Sequence, residues 1–589
     1  MDGLKFLFSY IRKHKWKYII GIIILFIVDY VSLYIPEAIG AITDGLNTRT
    51  LDFKGILHQV LIIAAVGITL AVGRFFWRYF IIITARKVER DVRNDLFVHL
   101  ETLDVEYYNA HKTGGLMAHF TNDVNSIRMA IGPGVISAFD AVVMTFLVVF
   151  RMITHISVAL TLMALVPMLL ILFGELGFGK LIQKPFKESQ EAYEELTDYT
   201  QESISGVQVI KSFVREDAQI KEFLIRNETM KKKNLKAIKY QALEEPLLSF
   251  VIGLSSLITL IFGGYLTLVG DISLGDFVAF NQFLGMLVWP MLAAGDAIIM
   301  LSRATASAKR IQKIMNAKTE VVIIEEPEEN DTNELILEGN IEFRNLIFFH
   351  KGQLEPTIKN VSFKIEKGQT VAVVGRTGSG KSTLINLLLH LYPIGANMIF
   401  ADGKDICTIP LTQLRSQIAY VPQDNFLFSD SLQNNIAFGI QKKEIEIIMN
   451  AAKDACIHDN IMDFPQQYET IVGERGVTLS GGQKQRSSIA RALIKEAPIL
   501  ILDDSLSAVD TDTEERVLNN LRESRAGKTT IMIAHRISTI QHADLIVVLN
   551  DGELAEIGNH QELMNKYGLY RGMYEKQQLE MRREGGILA

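Results

Sequence analysis

A chain of 589 residues is too long for one small module and, at roughly 100 to 200 residues per domain, holds more than one folding unit. With 48% hydrophobic and 22% charged residues and a mean hydropathy of +0.19, global disorder is excluded and long apolar segments are expected. The net charge of −7 is uneven, with 33 Lys and Arg against 30 Asp and Glu in residues 1–320 and 27 against 37 in residues 321–589, so neither part has the basic footprint of a nucleic-acid binder.

Leu4 to Lys17 sets Lys5, Arg12, Lys13, Lys15 and Lys17 among Leu, Phe, Tyr and Trp, which reads as an interfacial helix and not a signal peptide. Six apolar stretches follow, near 18–40, 57–83, 131–154, 156–178, 247–269 and 273–301, each long enough for the ~20 residues that cross a hydrocarbon core. Basic residues crowd the N-terminal segment and the connections 84–130 and 179–246, which assigns both connections and both chain ends to the cytoplasm. Inside those connections, Ala85–Leu103 and Lys187–Leu243 repeat apolar residues at three- and four-residue spacing. The spans are therefore predicted to continue as helices beyond the bilayer. Asp29, Asp140, Arg151, Glu175 and Asp296 fall in or near apolar stretches, where charge is expensive. Asp140 and Asp296 either line a pathway that favours amphipathic cations or pair with a neighbour such as Arg151. Phe280, Phe283, Met286, Trp289 and Met291 give the last stretch a soft lining that suits varied apolar ligands or helix packing equally.

The acidic stretch 317–340 reads as a linker between a transmembrane domain of residues 1–316 and a second domain of residues 341–589. There, short β-branched runs (Thr370–Val374, Ile499–Leu502, Thr530–Ile533, Leu545–Leu549) alternate with helical patterns, which predicts an α/β domain with a parallel sheet. Its two cysteines, Cys407 and Cys456, argue against a disulfide scaffold and suit a reducing compartment. Gly375-Arg-Thr377-Gly378-Ser379-Gly380-Lys381-Ser382 follows an apolar strand and precedes the helical run Thr383–Leu391. Glycines let backbone N–H groups surround phosphate oxygens, Lys381 supplies a point charge, Ser382 can ligate Mg²⁺, and the helix N-terminus adds its positive end. Leu479-Ser480-Gly481-Gly482-Gln483 would bring backbone close to a phosphate at a helix start. Ile499–Asp503 is a buried strand ending in a carboxylate suited to a metal-bound water.

In order and spacing these motifs resemble the nucleotide-binding domain of an ATP-binding cassette transporter, and the whole chain resembles an exporter half-transporter. The resemblance implies an all-α six-helix transmembrane domain with long cytoplasmic helical extensions, followed by an α/β P-loop ATPase domain in the cytoplasm, in a bacterial cell membrane. It implies ATP and Mg²⁺ as cofactors, Gln423 and His535 as switch residues, Val472–Gly476 as the loop before the signature, and Ser507–Asp510 as the aspartate loop. In this family each ATP is held between one chain's phosphate loop, here Gly375–Ser382 with Thr383 next to it, and another chain's signature. Coupling is expected at the tips His111–Ala118 and Ser203–Lys211. Two positions depart from the family pattern. The catalytic carboxylate, usually Glu, is Asp504, one methylene shorter. The adenine-stacking aromatic aligns with His350, with Phe349 as the alternative.

An intact signature beside Asp504 resembles heterodimeric exporters with one degenerate ATP site. That implies a partner half-transporter carrying the catalytic Glu, membrane lipid around the spans, and small hydrophobic or cationic amphipathic substrates. Export of a lipid or peptide, or a regulatory subunit whose ATP binding gates its partner, are the competing expectations.

Overall fold

The computed structural model describes residues 2–321, 335–442, 444–473, 479–534, 536 and 540–586, and among these the side chains at 2, 169–180, 244 and 580–586 lie outside the description. The chain divides into two compact units, residues 1–102 with 112–317, and residues 103–111 with 318–589.

The first unit is helical. The interfacial helix Asp2–Lys13 buries Leu7 and Tyr10 while Phe8 faces outward, and Tyr10 Oη donates to Asp95 Oδ2 at 2.7 Å. Among the described residues, five helical stretches are long and apolar enough to cross a membrane: Lys15–Asn47, Phe53–Glu101, Thr113–His155, Glu216–Val269 and Leu274–Met315. The expected span at 156–178 lies in the continuous helix Val158–Ser205. Apolar side chains such as Ile68, Phe75, Val142 and Phe146 are exposed, as lipid-facing surfaces require. The Phe53–Glu101 helix has 49 residues, about 74 Å at 1.5 Å per residue, against a hydrocarbon core of ~30 Å. The helical extensions expected of the cytoplasmic connections are thus present.

Close backbone approach and buried charge hold these helices together. A Cβ on Gly40 would lie 2.8 Å from the Gly275 carbonyl, and Asp44 Oδ1 accepts from Gly275 N at 2.6 Å while its Oδ2 accepts from Ser273 Oγ at 2.5 Å. That fixes the end of the Tyr34–Asn47 helix to the start of Leu274–Met315. Asp123, 6% exposed, accepts from Arg310 Nε at 3.0 Å, Ser307 Oγ at 2.8 Å and His119 Nδ1 at 2.6 Å.

The second unit carries two sheets. Strands β1 (Ile341–Phe348), β2 (Ile358–Ile365), β4 (Ile399–Ala401) and β5 (Lys404–Asp405) form an antiparallel sheet in the order β2-β1-β4-β5. Strands β3 (Thr370–Gly375), β6 (Ile418–Val421), β7 (Ile499–Asp503), β8 (Thr529–Ile533), β9 (Leu545–Asn550) and β10 (Glu553–Gly558) form the other, ordered β10-β9-β3-β8-β7-β6. All pairings there are parallel except β9 with β10. Strands β7 and β8 are buried at every position, because helices cover both faces of a parallel sheet. The four anticipated strands are β3, β7, β8 and β9. The antiparallel sheet goes beyond the parallel one anticipated.

Arg525, 7% exposed, clamps the starts of β7 and β8. It donates from Nε to Thr530 Oγ1 at 3.2 Å, from Nη1 to Ala497 O at 3.0 Å, and from Nη2 to Pro498 O and Thr529 O at 3.1 Å. Burial pulls its pKa down to about 10, a tolerable cost because the fork reaches four acceptors. A lysine keeps the charge but not the fork, so Arg525→Lys is expected to destabilise the domain by about 2 kcal/mol. Hydrogen exchange of the β7 and β8 amides checks this, and unchanged protection refutes it.

Candidate functional site

The parallel order puts the carboxyl ends of β3 and β7 at one edge of the sheet, with β8 between them, where ligands of open α/β sheets bind. Gly375 closes β3, and the chain reverses through Gly378 (φ +84°) and Gly380 (φ +95°) into the helix Lys381–Leu388. At Gly380 both conformation and space demand glycine, since a Cβ would sit 2.7 Å from Ile358 Cδ1 and 3.2 Å from Thr357 O. Lys381 is buried, and its Nζ donates to the carbonyls of Gly375 and Arg376 at 3.0 Å each. Desolvation lowers the Lys381 pKa, while Asp503 and Asp504 pull it the other way.

A cleft of about 260 Å³ opens there, lined by Thr377, Gly378, Gly380, Lys381, Ser382, Thr383, Gln423, Asp503 and Asp504, with Thr357 and Ile533. Nine residues expected from the sequence thus meet in one place. The donor set fits the implied cofactors. Ser382 Oγ donates to Asp503 Oδ1 at 3.2 Å, a hydroxyl and carboxylate of the hard-oxygen kind that Mg²⁺ prefers. The buried Ser379 Oγ has no hydrogen-bond partner, and a cradle of loop amides and a lysine suits a triphosphate.

Asp504 stands where β7 ends. Its φ is +46°, a left-handed conformation that Asp adopts more readily than longer side chains. Its N–H donates to Ile533 O at 2.9 Å, and its carbonyl accepts from Ser507 Oγ at 3.0 Å and Gln485 Nε2 at 3.5 Å. Gln485 also donates to Ser507 Oγ at 3.1 Å and accepts from Ala508 N at 2.9 Å. This buried glutamine, absent from the sequence reading, joins the helix of the Leu479–Gln483 motif to the Asp504 turn. A long polar side chain two residues past that motif is its only sequence trace.

Ser480 caps the helix Gly481–Leu493 in a capping box. Its Oγ accepts from Gln483 N at 3.2 Å, and Gln483 Oε1 accepts from Ser480 N at 2.9 Å. Leu479 is buried and Ser480 and Gly481 are exposed, and a Cβ on Gly482 would lie 2.9 Å from Ala508 O. None of Leu479–Gln483 lines the cleft that holds Lys381. Asp510 caps the helix Thr511–Ser524 through Thr513 N, a bond that holds its carboxyl below the usual range. His535 and residues 474–476 lie outside the described residues. Arg536, beside His535, donates to Glu514 Oε2 at 2.6 Å and to Val509 O at 3.3 Å.

His350 packs edge-to-face with Phe348 and Tyr392, with ring centroids 4.9 Å and 5.2 Å away. Its Nε2 lies 3.4 Å from Oγ1 of the cleft residue Thr383, whereas Phe349 is half exposed. Residues 103–111 belong to the second unit, with Asp104 capping a short helix Val105–Ala110 through Tyr107 N at 3.0 Å, and the expected tip His111–Ala118 follows it with a second short helix, Thr113–Ala118. In the membrane segments Arg151 pairs with Glu37 at 3.0 Å, which removes it as the partner of Asp140. Asp140 keeps one buried oxygen without a hydrogen-bond partner, and Asp296 is exposed.

Comparison with known proteins gives a single picture. Residues 18–291 match the family model for the ABC transporter transmembrane region, and residues 358–507 match the ABC transporter model. The chain is 37% identical over 587 residues, 98% of this chain and 100% of the other, to a probable multidrug resistance ABC transporter ATP-binding/permease protein, YheI, of Bacillus subtilis. It is 32% identical over 583 residues (98% and 95%) to an ATP-dependent lipid A-core flippase of Syntrophus aciditrophicus. A solved bacterial Atm1-family ABC exporter with ATP bound superimposes with a TM-score of 0.79 at 25% identity, covering 96% of this chain and 98% of that one.

Proposed function

The chain belongs to the ABC transporter family, and from that premise we propose that it is one half of a heterodimeric exporter of amphipathic organic compounds in which its own ATP site is the slow one. Membership makes it a multi-pass membrane protein with an ABC ATPase domain, built for ATP-driven transport. The division proposed for its work is a transmembrane domain of residues 1–316, a linker of 317–340 and a nucleotide-binding domain of 341–589.

ATP bound with Mg²⁺ supplies the phosphoanhydride bond whose cleavage drives transport. Gly375–Thr383 would cradle the phosphates, Lys381 would meet the outer ones, and Ser382, Asp503 and Gln423 would hold the Mg²⁺. His350 offers its ring to the base, and the switch role of His535, outside the described residues, rests on the family resemblance alone. The signature Leu479–Gln483 lines no part of this chain's own cleft and is assigned to the competent site of the partner.

One observation carries the slow-site reading: Asp504 is one methylene shorter than the family's Glu, and its backbone is bonded on both its N–H and C=O sides. A compensating shift would break those bonds. In the pair of half-transporters, Asp504→Ala is therefore expected to leave ATP hydrolysis within about threefold of the unsubstituted pair, since the rate resides in the partner's carboxylate. Near-complete loss of hydrolysis would sink the assignment. The multidrug-type relative supports drug-like substrates. The lipid flippase relative keeps lipid export as the second reading, which flipping of a fluorescent lipid in vesicles would separate from dye export.

A further inference from the structure

We propose that Asn109 and Tyr392 are positioning residues that link the base end of the ATP site to the short helix Val105–Ala110, so that seating of the purine ring is felt directly by that helix. The inference rests on the reading of His350 as the adenine platform.

The contacts form an unbroken chain inside the second unit. Thr383, in the phosphate-loop helix, has its Oγ1 3.4 Å from His350 Nε2. The His350 ring meets Tyr392 at 5.2 Å and 86°, and Phe348 meets both rings, at 4.9 Å and 5.6 Å. Tyr392 is 7% exposed, so its hydroxyl needs a partner, and Asn109 Nδ2 donates to it at 3.2 Å. A second contact returns from the same helix: the N–H of Lys351, next to His350, donates to Glu106 Oε1 at 3.1 Å. Glu106 and Asn109 are three residues apart and share one helix face. The helix therefore grips both the residue beside His350 and the ring packed against it.

Close-packed rings cannot move independently. A base that fixes the His350 ring must also fix Tyr392, and through it Asn109. Phosphates alone, held by the loop and Lys381, reach the His350 ring only through the single 3.4 Å contact with the Thr383 hydroxyl and do not fix it. The link reports whether the nucleotide has its base, and it bypasses both Gln423 and Asp504. A chain whose site turns over slowly could in this way still signal occupancy.

The test is hydrogen exchange of residues 103–111 in the full-length protein in lipid nanodiscs, with MgATP and with magnesium tripolyphosphate as probes. MgATP is expected to slow exchange of that segment about fivefold or more, and tripolyphosphate to leave it unchanged. Asn109→Ala is expected to abolish the MgATP effect with ATP affinity within about threefold of the parent. Tyr392→Phe, which keeps the ring and deletes the hydroxyl, is expected to do the same. Equal slowing by tripolyphosphate, an intact MgATP effect in both variants, or loss of ATP affinity in both would each overturn the link. The adenine reading fails separately: ATP affinity unchanged in His350→Ala would remove the platform whatever Asn109→Ala shows.

Discussion

In the proposed heterodimer, with the partner's catalytic carboxylate neutralised, Asp504→Glu in this chain is expected to raise ATP hydrolysis by the pair about 20- to 100-fold. The upper figure follows from geometry. The added methylene advances the carboxylate by about 1 Å, and a misplacement of that size costs ~10²-fold, or about 2.7 kcal/mol. The lower figure follows from the backbone. Asp504 has φ +46°, and a longer side chain in the left-handed region costs up to ~1 kcal/mol more. Positioning outweighs strain, so the direction is fixed by the larger effect. The N–H bond to Ile533 O and the bonds to the carbonyl from Ser507 and Gln485 keep the turn in place in both forms, so the gain comes from reach and not from rebuilding. Phosphate release by the purified pair reads it. A rate within twofold of the Asp504 form would mean that the shorter carboxylate already reaches the water, and the slow-site reading would fall.

Legibility followed the range of the interaction. Gly375–Ser382 could be read because its spacing, its preceding strand and its following helix are all local, and the cleft assembles what that segment promised. The identity of Asp504 was equally plain, but its left-handed φ and its bond to Ile533 depend on β8, about thirty residues away, and no local pattern announces them. The linkage of Gln485 to the Asp504 turn is likewise a packing fact. Gly114 and Gly115 draw the eye as a break, whereas the short helix Val105–Ala110 ahead of them is set by the Asp104 cap, a weaker local signal. Arg151 offered several acidic partners in sequence. Its choice of Glu37 is made by the meeting of two spans more than a hundred residues apart. Strands β1 and β2 show the alternating burial of a half-exposed sheet, a weaker signal than the continuous apolar runs of β3, β7 and β8.

The packing least visible in sequence sets the other large expectation, the loss of nucleotide-binding domain stability in mild acid. His390 follows the phosphate-loop helix, is 1% exposed and has φ +50°, and neither ring nitrogen has a hydrogen-bond partner. Arg415 lies against the same turn, donating from Nη2 to His390 O at 2.7 Å and from Nε to Leu389 O at 3.1 Å. Burial first, and the Arg415 charge second, push the imidazole pKa from 6.5 down to about 4, with Asp405 opposing weakly. The unfolded domain therefore binds a proton between pH 6.5 and pH 4 that the folded one refuses. Stability from this group is complete above pH 6.5 and is lost as the pH falls, by about 2 kcal/mol at pH 5 and about 3 kcal/mol near pH 4. Asn tolerates the left-handed backbone and cannot titrate, so His390→Asn pays its cost equally at every pH and should flatten the profile by that amount. Hydrogen exchange of the Lys381–Leu388 helix and of β7, followed from pH 7 to pH 5, reads the difference between the two proteins and cancels the contributions of other acids. Parallel profiles in the two would show that His390 gains its proton without unfolding the domain.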